Sequence, residues 1–105
     1  MLRMLFALLA LVAAVAPAHS QSYPTKPVRL IVPFPPGGGT DFVARTVANE
    51  LGKSTGWTVV VDNKAGAAGT IGLVEAARAP NEGYDMATGQ ADNMIIAPAT
   101  MKNPG

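Results

Sequence analysis

Val28-Arg-Leu-Ile-Val-Pro-Phe-Pro-Pro-Gly-Gly-Gly-Thr-Asp41 passes from an apolar run, through a proline- and glycine-rich turn, into residues suited to begin a helix. Aliphatic and β-branched side chains fill residues 28–32, broken only by Arg29, and Pro33, Pro35 and Pro36 end the run. Such a run predicts a strand buried on both faces, as in a parallel sheet. Thr40 or Asp41 suits the cap of the next helix, and for Asp41 the cap is preferred to a ligand contact. A strand that hands over to a helix through glycines gathers free backbone N–H groups at the helix N-terminus, which suits an anion. No lysine, arginine or histidine lies inside the turn. The main chain and the helix dipole are therefore expected to hold any guest, a carboxylate or a phosphate.

Working toward the C-terminus, Phe42, Val43, Val47 and Leu51 recur at helical spacing. They predict an amphipathic helix over 41–51 with that stripe on the sheet and Gly52 as its stop. Residues 58–61, introduced by Trp57, read as a second strand closed by Asp62-Asn-Lys64. A second glycine turn, Ala65-Gly-Ala-Ala-Gly-Thr70, precedes a helix over 71–79, with Ile71, Val74 and Ala77 or Arg78 spaced along it and Pro80 and Gly83 ending it. Residues 84–88 form a weaker third strand, diluted by Asp85 and Thr88. A third turn at 89–93 follows, then an apolar, alanine-rich segment at 94–101 that reads as a helix interrupted by Pro98. Strand, helix, strand, helix, strand predicts an α/β fold with a parallel sheet and right-handed crossovers. All three glycine-bearing turns then share the carboxyl edge of the sheet, where ligands bind in such folds.

The 105 residues suit one domain, and the net charge of +1 gives no electrostatic footprint for nucleic acid. Without cysteine there is no disulfide or thiolate metal site. Arg3, an unbroken apolar run to Ala16, and Pro17-Ala18-His19-Ser20 have the form of a secretory signal peptide. The run falls short of the roughly 20 residues that span a bilayer. Residues 1–20 are thus expected to be a cleaved leader, cut after Ser20 or alternatively after Ala18, with residues 21–105 exported.

Enzyme chemistry has little support. His19, the one histidine, leaves with the leader, so no imidazole is expected for base catalysis or metal binding. Asp62, Glu75, Glu82, Asp85 and Asp92 are scattered and read as solvated surface, and Trp57 and Tyr84 as packing residues. Gly66, Gly69 and Gly72 recur every third residue, which is not the G-x-G-x-x-G dinucleotide fingerprint. Gly52-Lys-Ser54 imitates the end of a P-loop, but Val47 stands where its first glycine is required.

Tyr23-Pro-Thr-Lys-Pro-Val-Arg-Leu-Ile-Val-Pro-Phe-Pro-Pro-Gly-Gly-Gly-Thr-Asp41 resembles the mature start of the Bug-type substrate-binding receptors of tripartite tricarboxylate transporters. Val59-Val-Val-Asp-Asn-Lys-Ala-Gly-Ala-Ala-Gly-Thr-Ile-Gly72 and Ala79-Pro-Asn-Glu-Gly-Tyr84 extend the likeness in matching order. The resemblance implies a periplasmic binding protein of two α/β lobes that closes on a small di- or tricarboxylate, passes it to membrane carrier subunits, and needs no cofactor. It implies ligand contacts from Phe34, Pro35, Gly37, Gly38, Gly39, Thr40 and Asp41 in the first turn. Ala67, Ala68, Gly69 and Thr70 follow from the second, and Gly89, Gln90 and Ala91 from the third. Ala65 stands where a proline is common and Ala68 where a glycine is, so a looser second turn is expected. Because family members are much longer, residues 21–105 read as the N-terminal part of the first lobe, without the second and weak in binding alone. The alternatives are a Rossmann-type nucleotide-binding enzyme domain on the same glycine turn, and a truncated product without function.

Overall fold

The computed structural model describes residues 1–4, 17 and 20–100. Most of the expected leader, including Ala18 and His19, lies outside the described residues. Among the described residues no helix is long and apolar enough to cross a membrane.

Three parallel strands form the sheet: β1 (Val28–Val32), β2 (Val59–Asn63) and β3 (Asp85–Ala87), in the order β2-β1-β3. β1 is central, and Val28, Leu30, Ile31 and Val32 are buried, so both faces are covered as its apolar run predicts. Helix α1 (Gly39–Thr55) connects β1 to β2, and α2 (Thr70–Arg78) connects β2 to β3. The first crossover moves one way across the sheet and the second moves back past β1. With a fixed right hand, that reversal puts the two helices on opposite faces. α1 accordingly packs Ala44 and Ala48 on Leu30 and Val32, with Val59, Val61 and Met86 at the margin. Side chains alternate along β1, so Arg29, Ile31 and Pro33 face the other way, toward α2. Beyond β3 come a π-helical turn (Asp92–Ile96) and a short helix α3 (Ala97–Thr100) that includes Pro98.

The buried face of α1 corrects the sequence expectation. Phe42 is 72% exposed, and Val43 and Val47 also face outward. The side toward the sheet is Asp41, Ala44 and Ala48, with Leu51 half-buried. Two alanines one turn apart let the helix backbone approach the sheet closely, and the bulkier residues are left outside. On α2, Ile71 is likewise exposed and the buried residues are Thr70 and Gly72. A Cβ on Gly72 would lie 2.9 Å from the Lys64 carbonyl oxygen and from Pro33 Cα and Cβ, so glycine sets how closely α2 seats on the end of β1.

Gly52 does not stop α1. The helix continues to Thr55 and ends at Gly56, whose φ of 76° is left-handed and whose N–H donates to the Gly52 carbonyl at 2.9 Å. β2 begins one residue later and runs two residues further than expected, because Asp62 and Asn63 still pair with Ile31 and Val32. β3 is shorter than expected, pairing only residues 85–87 with Arg29, Leu30 and Ile31.

Asp62, Glu75 and Asp85 are not scattered surface charges. Arg29 donates from Nε to Asp85 Oδ1 at 2.6 Å, and from Nη1 to Glu75 Oε1 at 2.6 Å and Asp62 Oδ2 at 3.2 Å. The Asp85 hydrogen bond, followed by that of Glu75, raises the guanidinium pKa further. The polar residue in β1 and Asp85 in β3 therefore answer one another across the ladder. Near the amino edge of the sheet, Tyr23 packs edge-on to Trp57 at 5.5 Å and tilted against Tyr84 at 5.0 Å, consistent with packing roles for both rings.

Candidate functional site

The three glycine-bearing turns lie at the carboxyl edge of the sheet. The strand order reverses at β1, so the connection leaving β1 turns to one face and the connection leaving β3 starts beside it. A crevice opens at such a switch point, outside the strand ends. It is a cavity of about 540 Å³ lined by Gly39, Thr40 and Val43 from the start of α1 and by Thr88, Gly89 and Gln90 from the third turn. Gln90 Nε2 donates to Thr40 Oγ1 and ties the two turns together. Thr88 N–H donates to the Ile31 carbonyl at 3.0 Å, anchoring the third turn to β1.

The first hydrogen bond of α1 runs from Phe42 N–H to the Gly38 carbonyl at 3.0 Å. The N–H groups of Gly39, Thr40 and Asp41 thus precede any intrahelical acceptor. Gly38 takes the cap position in extended backbone, and no side chain caps the helix. Among the described residues no acceptor meets these amides or that of Gly38. The helix dipole adds partial positive charge at the same place.

Asp41 is not the cap. It lies in the first turn, buried, and its carboxylate is fully engaged. Arg45 Nε donates to Oδ2 at 2.9 Å, Gly37 N–H to the same oxygen at 3.0 Å, and Asn63 Nδ2 to Oδ1 at 2.9 Å. The Arg45 hydrogen bond, then that of Gly37, lowers the Asp41 pKa from 3.8 to about 2. Two corrections follow. One amide of the glycine turn, that of Gly37, is spent on Asp41. The turn also has a cationic neighbour, since Arg45 reaches back one helical turn and also donates to Asn63 Oδ1 at 3.2 Å. Asn63 in turn donates to the Phe34 carbonyl at 3.0 Å, so β2 pins the first turn in place. Neither Arg45 nor Asn63 was legible as a site residue. Each is an ordinary polar residue in its own element; Arg45 meets Asp41 through the i,i+4 spacing of α1, and only the β1–β2 pairing brings Asn63 to it.

The second turn adjoins the other two at Gly69. Gly66, Ala67, Ala68 and Gly69 all have positive φ, and Thr70 Oγ1 donates to the Ala67 carbonyl at 2.7 Å. Two alanines in the left-handed region make the turn strained. A Cβ on Gly69 would lie 2.5 Å from Asn93 Nδ2 and 3.2 Å from Phe34 Cζ, so Gly69 is where the three turns meet. Thr70 lines a separate groove of about 410 Å³ with Leu73, Val74, Ala77, Asn93, Met94 and Pro98. Of the residues singled out in the sequence, Gly39, Thr40, Gly89 and Gln90 line the crevice. Phe34 and Gly69 pack against each other and do not line it, and Pro35, Gly37, Gly38, Ala67, Ala68 and Ala91 lie on exposed turns.

Residues 43–104 match the family described as "Tripartite tricarboxylate transporter family receptor". Protein BugT of Bordetella pertussis is 48% identical over 71 residues, which are 68% of this chain and 22% of BugT. The solved periplasmic binding protein BugD is 48% identical with a TM-score of 0.74, over 79% of this chain and 27% of BugD. A second solved relative, an R. palustris protein crystallised with adipate, is 38% identical with a TM-score of 0.66, over 69% of this chain and 24% of its own. The chain therefore spans between a fifth and a third of the length of these relatives. With an α/β sheet, a switch-point crevice and a sequence match across more than half its length, the chain belongs to the tripartite tricarboxylate transporter receptor family.

Proposed function

We propose that this chain carries the carboxylate-gripping edge of a periplasmic receptor, one that captures a small organic acid and presents it to the membrane carrier of a tripartite tricarboxylate transporter. The observation that carries this reading is the set of unpartnered amides at residues 38–41, beside the cavity at the β1/β3 switch point that Gly39 and Thr40 line. A ligand carboxylate placed there receives backbone hydrogen bonds and the favourable end of the α1 dipole. Asp41 does not repel it, because Arg45, Gly37 and Asn63 already neutralise and saturate that carboxylate. The Thr40–Gln90 clasp positions a second wall, so first- and third-turn residues grip one guest. The adipate-bound relative supports a dicarboxylate as the ligand class. In this reading residues 1–20 export the chain and residues 21–105 form the N-terminal part of the first lobe. The function is capture and release, not catalysis.

The test is an NMR titration of the full chain with succinate, adipate and citrate at millimolar concentrations, following backbone amides. Saturable shifts centred on residues 38–41 are expected. Gly38 has ordinary extended backbone, and a Cβ there meets only the Pro35 carbonyl at 3.9 Å, so Gly38→Val is expected to fold. Its larger branches stand beside the amides and should weaken binding at least tenfold while the melting temperature stays within a few degrees. Unchanged affinity in that variant, with no response at 38–41, would show that the turn is only a connection.

A further inference from the structure

Asn93 lies in the π-helical turn and is 1% exposed, although it is polar and belongs to a segment whose apolar residues Met94, Ile95 and Ile96 face outward. Its carboxamide is used on one side only. Oδ1 accepts the Gln90 N–H at 2.9 Å, which fixes the third turn next to the Thr40 contact. Nδ2 is a buried donor with no acceptor among the described residues. The orientation is set by chemistry, since turning the amide over would put an N–H donor against the Gln90 N–H. An unpaired buried donor costs free energy, and in a native fold it calls for an explanation such as a ligand atom that completes it.

Its position supplies the explanation. Nδ2 occupies the space a side chain at Gly69 would take, beside the ring of Phe34, where the first, second and third turns converge. The cover over it is slight, because Gly69 has no side chain and follows Ala67 and Ala68, both exposed and both in the left-handed region. Asn93 itself lines the groove of about 410 Å³ that it shares with Thr70, Met94 and Pro98.

We infer that Asn93 is a specificity-determining residue, whose free Nδ2–H binds the second acceptor group of a dicarboxylate while the α1 amides bind the first. The inference rests on the carboxylate-receptor reading above. Oδ1 holds the third turn in both free and bound states, and Nδ2 distinguishes ligands with a second oxygen-bearing end from those with an apolar tail.

Adipate and hexanoate separate the two ends, since both have six carbons and only adipate has the second carboxylate. In the full chain, adipate is expected to shift both the backbone amides at 38–41 and the Asn93 side-chain NH₂ resonances, and hexanoate only the former. Asn93→Asp keeps an acceptor for Gln90 and replaces the donor by an anion. It should lower adipate affinity at least tenfold, to that of hexanoate, and leave hexanoate within twofold. If Asn93→Asp does not fold, Asn93→Ser keeps a small acceptor for Gln90 and is expected to narrow the adipate preference in the same direction. An Asn93 NH₂ signal unmoved when adipate saturates residues 38–41 overturns the inference and leaves the receptor reading intact. Equal weakening of both ligands by the variants also overturns it, since that marks a purely structural residue. A response at Asn93 without one at 38–41 supports the Asn93 contact and removes the first-turn site. No response at either place overturns both.

Discussion

Replacing Gly72 with alanine adds one methyl group at the tightest joint in the fold. Its Cβ would lie 2.9 Å from Pro33 Cα and Cβ and from the Lys64 carbonyl oxygen, against roughly 3.5–4.0 Å for comfortable contact between carbons. Two of these atoms are backbone and the third is in the proline ring, none with a rotamer to escape into, so α2 itself must move outward by about 0.5–1 Å. A gap of that size forfeits about a quarter to a half of the dispersion well for each contact it opens. Overpacking of this kind costs roughly 1–3 kcal/mol. Alanine restores at most about 1 kcal/mol of helix propensity. The expected net loss is about 1–2 kcal/mol, or roughly 4–16 °C in melting temperature for a chain of this size. Gly39→Ala is the control, at a helical position where an added Cβ meets nothing within 4 Å, and it is expected to be neutral or stabilising by up to about 1 kcal/mol. Circular dichroism melts and urea titrations of both variants measure the difference. If Gly72→Ala is as stable as Gly39→Ala, then α2 is not seated on Pro33, and the meeting of the three turns near Gly69 loses its support.

Three other perturbations address separate parts of the structure. Asp41 has a folded pKa of about 2 against 3.8 unperturbed, so its ionised form favours the folded state. That contribution is complete above about pH 4 and is lost as pH falls through about 2, so acid melting of the wild type should steepen over this window and Asp41→Asn should flatten it. Ala68→Gly relieves a φ of 55° that costs an L-residue about 1–2 kcal/mol, partly offset by the greater freedom of glycine in the unfolded chain, so urea unfolding should show a gain of about 0.5–1 kcal/mol. Phe42→Ser should change stability by no more than about 0.5 kcal/mol, since the ring is 72% exposed, whereas a loss of about 3–5 kcal/mol would mean that the ring is packed in a core.

The elements that could be read from residues 28–41 were those with local causes. β1 occupies the expected residues because a run of aliphatic and β-branched side chains, cut off by prolines, has few other stable outcomes. The glycine turn leads into a helix, and the alternation of strands and helices produces a parallel sheet with its turns at one edge. Errors appeared where composition had to stand in for packing. The helical stripe of Phe42, Val43 and Val47 has the right period for a buried face, yet Ala44 and Ala48 took that place. Periodicity identifies a helix, but it does not tell which of two adjacent faces comes closer to a neighbour. Gly52 looked like a stop because glycine is a poor helix former, but Gly56 could adopt the left-handed ending and Gly52 was carried through.

The sequence by itself determined the order of elements, the parallel class of the sheet and the gathering of backbone amides at the start of α1, because these follow from interactions between residues close along the chain. Only the tertiary structure decided the electrostatic setting of the site. Asp41 acquires Asn63 from 22 residues away, Arg29 collects carboxylates 33 to 56 residues away, and Thr40 meets Gln90 across 50. Partners so distant in sequence leave no periodic trace, and they become neighbours only when β1 takes its place between β2 and β3 and brings three separate strand ends to one edge.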